Sequence, residues 1–122
     1  MSSVKFGNVK FPSPILVASG TYGYGHETAS MIDVNGIGGI VTKSVTRHPR
    51  EGNPPPRIAE TSSGMLNSIG LANLGVDQYI QNKIPHLNKL NTNVIINIAG
   101  SMIEDYLETL EKLESADSNH IG

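Results

Sequence analysis

A chain of 122 residues, 38% hydrophobic and 16% charged, has the composition of one ordinary globular domain. Its formal charge of −2 and pI near 6.0 provide no basic field for nucleic acid, and the absence of cysteine excludes disulfides and thiolate metal sites within it. No stretch approaches the roughly 20 apolar residues that span a bilayer, and MSSVKFGNVKFPS lacks the apolar core of a signal peptide. The expectation is a soluble protein of a reducing cytoplasm, with no membrane or nucleic-acid partner.

Val4 to Phe6 and Val9 to Phe11 flank Gly7-Asn8, a two-residue hairpin connection, although Asn-Gly is the commoner order. Ile15 to Ala18 reads as a buried parallel strand ended by Ser19-Gly20, and His26 to Asn35 as a short helix stopped by Asn35-Gly36. Gly39 to Thr42 is a second strand, ending in Lys43, after which a polar, proline-rich connection runs from Ser44 to about Leu74. Gly75 to Lys89 has near-helical apolar spacing, kinked or divided by Pro85. Val94 to Ile98 is a third buried strand. Ser101, with Glu104 three residues on, is expected to cap a helix running to about Glu114, its apolar stripe being Ile103, Leu107, Leu110 and Leu113.

Strands alternating with helices imply a parallel sheet, because a crossover helix returns the chain to start each strand in the same direction. The 108 residues from Ile15 to Gly122 hold three βα units of about 36 residues, so eight units need roughly 290, within the range of an eight-fold barrel. Three units cannot close one. The expected fold is therefore α/β: the N-terminal part of a (β/α)8 TIM barrel, about three βα units after a short hairpin. Residues 1–122 would be an incomplete portion of one domain, with Asp117 to Gly122 leading into a next strand. Helices are expected on one side of the sheet only, with Ile40, Val94 and Ile96 divided between its two faces.

Ligands of parallel α/β proteins bind outside the carboxyl ends of the strands, and Ser19, Lys43 and Asn97 each fall at or near one such end. Ser19 is either a turn hydroxyl or a donor to a bound ring or phosphate. Gly20, Gly23 and Gly25 do not form the G-x-G-x-x-G fingerprint; they are read as letting backbone approach a flat ligand, with Thr21, Tyr22 and Tyr24 walling the loop. Lys43 points into the site or into solvent, and in the site it favours an anionic ligand or a ring that gains charge on reduction. The stretch Met65 to Asn73 is part apolar and part amide, suited to plugging a barrel end or to lining a pocket, where Asn67 offers donor and acceptor. Arg47, His48, Arg50 and Arg57 are expected on the loop surface, pairing with Glu51 and Glu60. His26, His48, His86 and His120 lack metal-ligand spacing and are read as solvated.

Taken in order, ASGTYGYG, GGIVTKSVT, PREGNPPPR, GMLNSIGLANLGVD and IINIAGS closely resemble the N-terminal portion of class 1 dihydroorotate dehydrogenases, most of all the class 1B catalytic subunit. EGNPPPR followed by GMLNSIGL is the most specific part, and the resemblance covers nearly the whole chain. It implies an FMN-dependent barrel enzyme that oxidises (S)-dihydroorotate to orotate in pyrimidine synthesis. It places Ala18, Ser19, Gly20, Lys43, Ser44 and Asn97 toward FMN, and Lys43, Asn67, Ser68, Ile69, Gly70 and Leu71 toward dihydroorotate or orotate. The family's catalytic base and phosphate loops would lie beyond Gly122, so no catalytic base and no metal ligand is expected here, and the chain alone should be inactive. Class 1B further implies a homodimer working with an electron-transfer subunit that carries FAD and an iron–sulfur cluster and passes electrons to NAD. The alternatives are a class 1A, fumarate-dependent enzyme, and a self-contained α/β binding module without redox activity.

Overall fold

The computed structural model describes every residue except Met1, His26, Ala29, Ser30, Ile32 and Gly122. Strands β1 (Val4–Phe6) and β2 (Val9–Phe11) pair antiparallel, Val4 opposite Phe11, with Gly7 at φ +57° opening the turn. A II′ turn needs positive φ at that first central position, which explains the Gly-Asn order. Strand β3 (Leu16–Ala18) runs into one helical turn, α1 (Ser19–Tyr22). Of the helix expected over His26 to Asn35, four residues lie outside the described set; among the others Glu27, Thr28 and Met31 lie in turns and Val34–Gly36 form a 3-10 turn, the Asp33 carboxylate accepting from the Asn35 N–H at 2.9 Å. Strand β4 (Gly39–Val41) follows.

The proline-rich connection after β4 contains two strands that the sequence reading did not assign. Strands β5 (Ile58–Thr61) and β6 (Gly64–Asn67) form an antiparallel hairpin, Ile58 opposite Asn67. All eight residues are exposed, so no buried face imposed the period-2 alternation by which strands are read. Beyond it, α2 (Val76–Asn82) and α3 (Ile84–Leu87) are divided near Pro85, which sits in the first turn of α3 where its missing N–H removes no helical bond. Strand β7 (Asn93–Ile95) and helix α4 (Ile103–Glu114) complete the order, and Ile121 then donates its N–H to the Val94 carbonyl at the free edge of β7.

Strands β3, β4 and β7 make a parallel sheet in that order, with Val17, Ile40 and Val94 side by side and Ala18, Val41 and Ile95 next to them. Strand alternation sends these two rows to opposite faces. Ile40, Val94 and Ile96 are all buried on the helix side, not divided between faces as expected. There Val94 and Ile96 meet Val76, Tyr79, Ile84, Leu87 and Leu113 in one core. The opposite face is largely open, which is why Leu16 and Ala18 are exposed although the run Ile15 to Ala18 reads as a buried strand. The β1–β2 hairpin, with Ser13 and Pro14, reaches it, lining an apolar cavity of about 310 Å³ with Leu16 and Ile95. Entry to β4 is tight: Gly38 donates to the Ile15 carbonyl at 2.7 Å, and a Cβ added there would overlap the Ser13 carbonyl oxygen.

Helix α4 begins one residue later than expected. Met102 is the cap position, and the reciprocal carboxylate is Asp105, which accepts from the N–H groups of Ser101 (2.9 Å) and Met102 (3.1 Å). Those two bonds favour the charged form and hold the Asp105 carboxyl below its usual range. Its buried face is Thr109 and Leu113. The rest of the expected stripe is outside: Ile103 is 73% and Leu107 54% exposed, beside exposed Tyr106 and Leu110. A helix of a parallel α/β layer packs on neighbouring units as well as on the sheet, and these side chains are not part of either hydrophobic core of the described residues.

Tyr79 is fully buried, its ring centroid 5.6 Å from that of Tyr24. Burial pushes the Tyr79 phenol up to about 12, only partly offset by the nearby Thr42 hydroxyl, which stands outside hydrogen-bond geometry. An acid whose folded value is raised contributes its stability in full below the unfolded value of about 10 and loses it as pH climbs through the folded one. Tm of the folded protein is therefore expected to fall more steeply from pH 10 to 12 than that of Tyr79→Phe; equal slopes would remove the assignment. The open apolar surface gives a second prediction: residues 1–122 alone should bind a hydrophobic dye and sediment with concentration-dependent mass. A dye-silent monomer at all concentrations would contradict it.

Candidate functional site

The carboxyl ends of β3 and β4 face the segment 67–72 across a cavity of about 410 Å³. One wall is Ser19 and Gly20 of α1 with Lys43 and Ser44 just beyond β4; the other is Asn67, Ile69, Gly70, Leu71 and Ala72. Eight of these nine residues belong to the set singled out from the sequence; Ala72 does not. Asn97 is not in the lining, but its amide donates to the Ser44 hydroxyl at 2.8 Å, and its N–H to the Thr42 hydroxyl at 3.3 Å. Ala18 caps α1 behind the cavity wall. Ser68 turns the other way: its hydroxyl and carbonyl accept from the Asn53 amide at 2.8 and 3.1 Å, and its N–H donates to the Arg57 carbonyl at 2.7 Å.

Lys43 owes its place to strand parity. It shares the face of Val41, so its stem runs toward the open side of the sheet while Thr42 turns into the core. Its N–H is fixed to the Gly23 carbonyl at 3.0 Å, but among the described residues no hydrogen bond or ion pair engages its Nζ. A half-buried lysine whose ammonium has no partner among the described residues, lining one cavity with two hydroxyls and an amide, makes an anion-accepting corner. Gly20 leaves this wall open, since a Cβ there would meet nothing within 4 Å.

The other glycines of the first loop work differently from the reading above. Gly23 and Gly25 take φ +59° and +102°, and a Cβ on Gly25 would crowd Ile40 and Leu87. They turn the loop and seat it on the core, so Tyr22 and Tyr24 are buried there instead of walling a ligand. Tyr24 Oη accepts from the Leu74 N–H at 3.2 Å, tying this loop to the second one.

The arginines also differ from expectation. Arg47 Nε is 2.6 Å from Glu108 and its Nη1 3.9 Å from Asp105, Arg50 donates to the Ser101 hydroxyl at 2.9 Å, and Arg57 donates to the Asn53 and Glu51 carbonyls. The loop folds over the N-terminus of α4, which brings α4 carboxylates closer to Arg47 than Glu51 or Glu60. Of the histidines, His26 lies outside the described residues and His48 and His86 are exposed, but His120 is mostly covered, 3.7 Å from Glu114. Among the described residues no three His, Asp or Glu are grouped to hold a metal ion, and no helix is long and apolar enough to cross a membrane.

Residues 1–121 match the family described as dihydroorotate dehydrogenase. A protein of Thermodesulfovibrio yellowstonii named dihydroorotate dehydrogenase B (NAD(+)), catalytic subunit, is 47% identical over 96% of this chain and 39% of its own length. One of the same name from Alkaliphilus metalliredigens is 50% identical over 93% of this chain and 38% of its own. The chain thus spans about two-fifths of the curated relatives it matches. The crystal structure of a dihydroorotate dehydrogenase from Eimeria tenella superposes with TM-score 0.59 over 91% of this chain and 33% of that one, at 20% identity, and shows the fold alone. The fold is that of an N-terminal segment of a (β/α)8 barrel, and the chain belongs to the dihydroorotate dehydrogenase family.

Proposed function

We propose that, in the full-length protein, this cavity holds the ring of FMN against dihydroorotate, which is oxidised to orotate. The observation that carries the reading is Lys43, whose Nζ is unengaged among the described residues and which lines the 410 Å³ cavity together with Asn67. That volume lies within the range of small-molecule sites, and the lining fits a flat polar ring: an unobstructed backbone at Gly20, hydroxyls at Ser19 and Ser44, an amide at Asn67. FMN, when bound, supplies the acceptor for the hydride leaving C6 of dihydroorotate.

Ser19, Gly20, Lys43 and Ser44 would contact the flavin, with Ala18 and Asn97 supporting them from behind. Asn97 acts through Ser44, whose oxygen it holds, leaving the Ser44 proton free to be donated into the cavity. Asn67, Ile69, Gly70 and Leu71 would bound the substrate ring, Asn67 pairing with its amide edge. Ser68 would serve by anchoring this segment to Asn53. Lys43 would face both ligands, balancing the substrate carboxylate and the negative charge that builds up beside it on reduction. No side chain of the lining is a strong base, so the proton at C5 must go to a residue outside the lining. That proton loss and the hydride transfer need both partners held in register.

The names of the relatives, dihydroorotate dehydrogenase B (NAD(+)), catalytic subunit, favour class 1B over a fumarate-dependent enzyme. A homodimer in the cytoplasm, passing electrons to NAD through a second subunit with FAD and an iron–sulfur cluster, completes this reading. The test is anaerobic bleaching of the flavin by dihydroorotate. In the full-length protein Lys43→Ala should slow it about 10²-fold, the scale of losing one charge-stabilising donor. Residues 1–122 alone should give no bleaching with added FMN. A wild-type rate in Lys43→Ala, or enzymatic bleaching by the isolated chain, would overturn the reading.

A further inference from the structure

The segment 67–72 supplies five of the nine cavity-lining residues, yet Asn53 and Arg57 hold it by hydrogen bonds only as far as Ile69. Its β6 end is exposed, and Leu71 sits at φ +58°, a conformation that side-chain-bearing residues resist. Something outside the cavity must hold it.

From these contacts we infer that Asn73, which is not in the lining, is the positioning residue for dihydroorotate: its side-chain amide locks the left-handed turn at Leu71 to the strand that carries Lys43. This rests on the function proposed above. Asn73 is buried. Its Oδ1 accepts from the Gly75 N–H at 2.9 Å and the Thr46 N–H at 3.2 Å, and lies 3.0 Å from the Thr46 hydroxyl, whose one proton it shares with the His48 carbonyl at 2.5 Å; its Nδ2 donates to the Leu71 carbonyl at 2.8 Å. Its backbone is bridged in both directions to Arg50, at 2.9 and 3.0 Å. One side chain thus joins three pieces: the extension of β4 three residues past Lys43, the turn that presents Leu71, and the start of α2. Aspartate at this position would keep the acceptors and lose the donor to Leu71; alanine would lose all four bonds.

The experiment uses the full-length protein with Asn73→Ala, Asn73→Asp, Thr46→Val and Thr46→Ser. In the FMN-free state, amide hydrogen exchange over residues 73–75, whose N–H groups donate to the Arg50 carbonyl, Tyr24 Oη and Asn73 Oδ1, should accelerate at least tenfold in both Asn73 variants, the scale of one or more lost hydrogen bonds. The amides of α4 should keep the wild-type rate. In the FMN-loaded state, KM for dihydroorotate should rise about tenfold with kcat nearly unchanged, the pattern of weakened binding. Thr46→Val, which removes one donor, should move the same way by about threefold, and Thr46→Ser should restore wild-type values. If Asn73→Ala does not fold, Asn73→Asp and Thr46→Val decide. Unchanged exchange at 73–75, or equal acceleration there and in α4, would overturn the inference. If the wild-type protein does not oxidise dihydroorotate, the proposed function falls while the exchange data still judge the lock at Leu71.

Discussion

Strand β4 is hydrogen-bonded on both edges, to β3 with Leu16 opposite Gly39 and to β7 with Gly39 opposite Asn93, and the rest of the chain depends on that double register. A slip of one residue would send Ile40 and Thr42 to the open face and Lys43 into the core. Both buried residues have essentially no exposed surface, so the register is strongly specified. The pairing continues past the strand: Val45 bridges to Ile98, donating to the Asn97 carbonyl at 2.8 Å and accepting from Ala99 at 2.9 Å. The cavity wall from Lys43 to Ser44 is therefore held between two paired segments and has little freedom of its own.

The two faces of the sheet have opposite characters for one reason. Helices α2, α3 and α4 bury Val94 and Ile96 on one side, and parallel connections of one hand put them all there. Closure of a barrel is what buries the other side, and three strands leave Leu16, Ile95 and the outer flank of α4 with apolar surface unmatched. Membership of the family and the share of the relatives' length covered agree with a sheet whose inner face has its partners elsewhere in the barrel.

How much of this was legible follows from what each element buries. The three parallel strands and the division of α2 from α3 at Pro85 could be read, because buried runs and prolines leave marks in local sequence. The β5–β6 hairpin could not: Ile58 to Thr61 and Gly64 to Asn67 bury nothing within the chain, and Ser62-Ser63 is no strong turn signal. The stripe on α4 was legible as a stripe but not as to which part faces this core, since Leu113 alone of the four apolar positions is buried. For the cavity, strand ends predicted Ser19 and Lys43 by geometry, whereas Ser44 was named only through the resemblance to a family, and segment 67–72 by its unusual content and that resemblance. Asn73 escaped notice as a tether. Its signal was an amide two residues before a glycine, the local bond of an Asx turn, and only the fold reveals that the same oxygen also serves Thr46.

Gly38 illustrates how such a chain constrains its own divergence. The residue touches no ligand-sized cavity and its φ is not in the left-handed region, yet the Ser13 carbonyl occupies the space of any side chain. An invariant glycine at this place in an alignment would record the close passage of two backbone segments, not chemistry. Conversely, Gly20 has open space around its missing side chain. Drift to alanine there is sterically free within the chain, so selection at Gly20 would have to come from whatever occupies the cavity. The two glycines thus form a natural pair of controls, one monitoring the scaffold and the other the ligand.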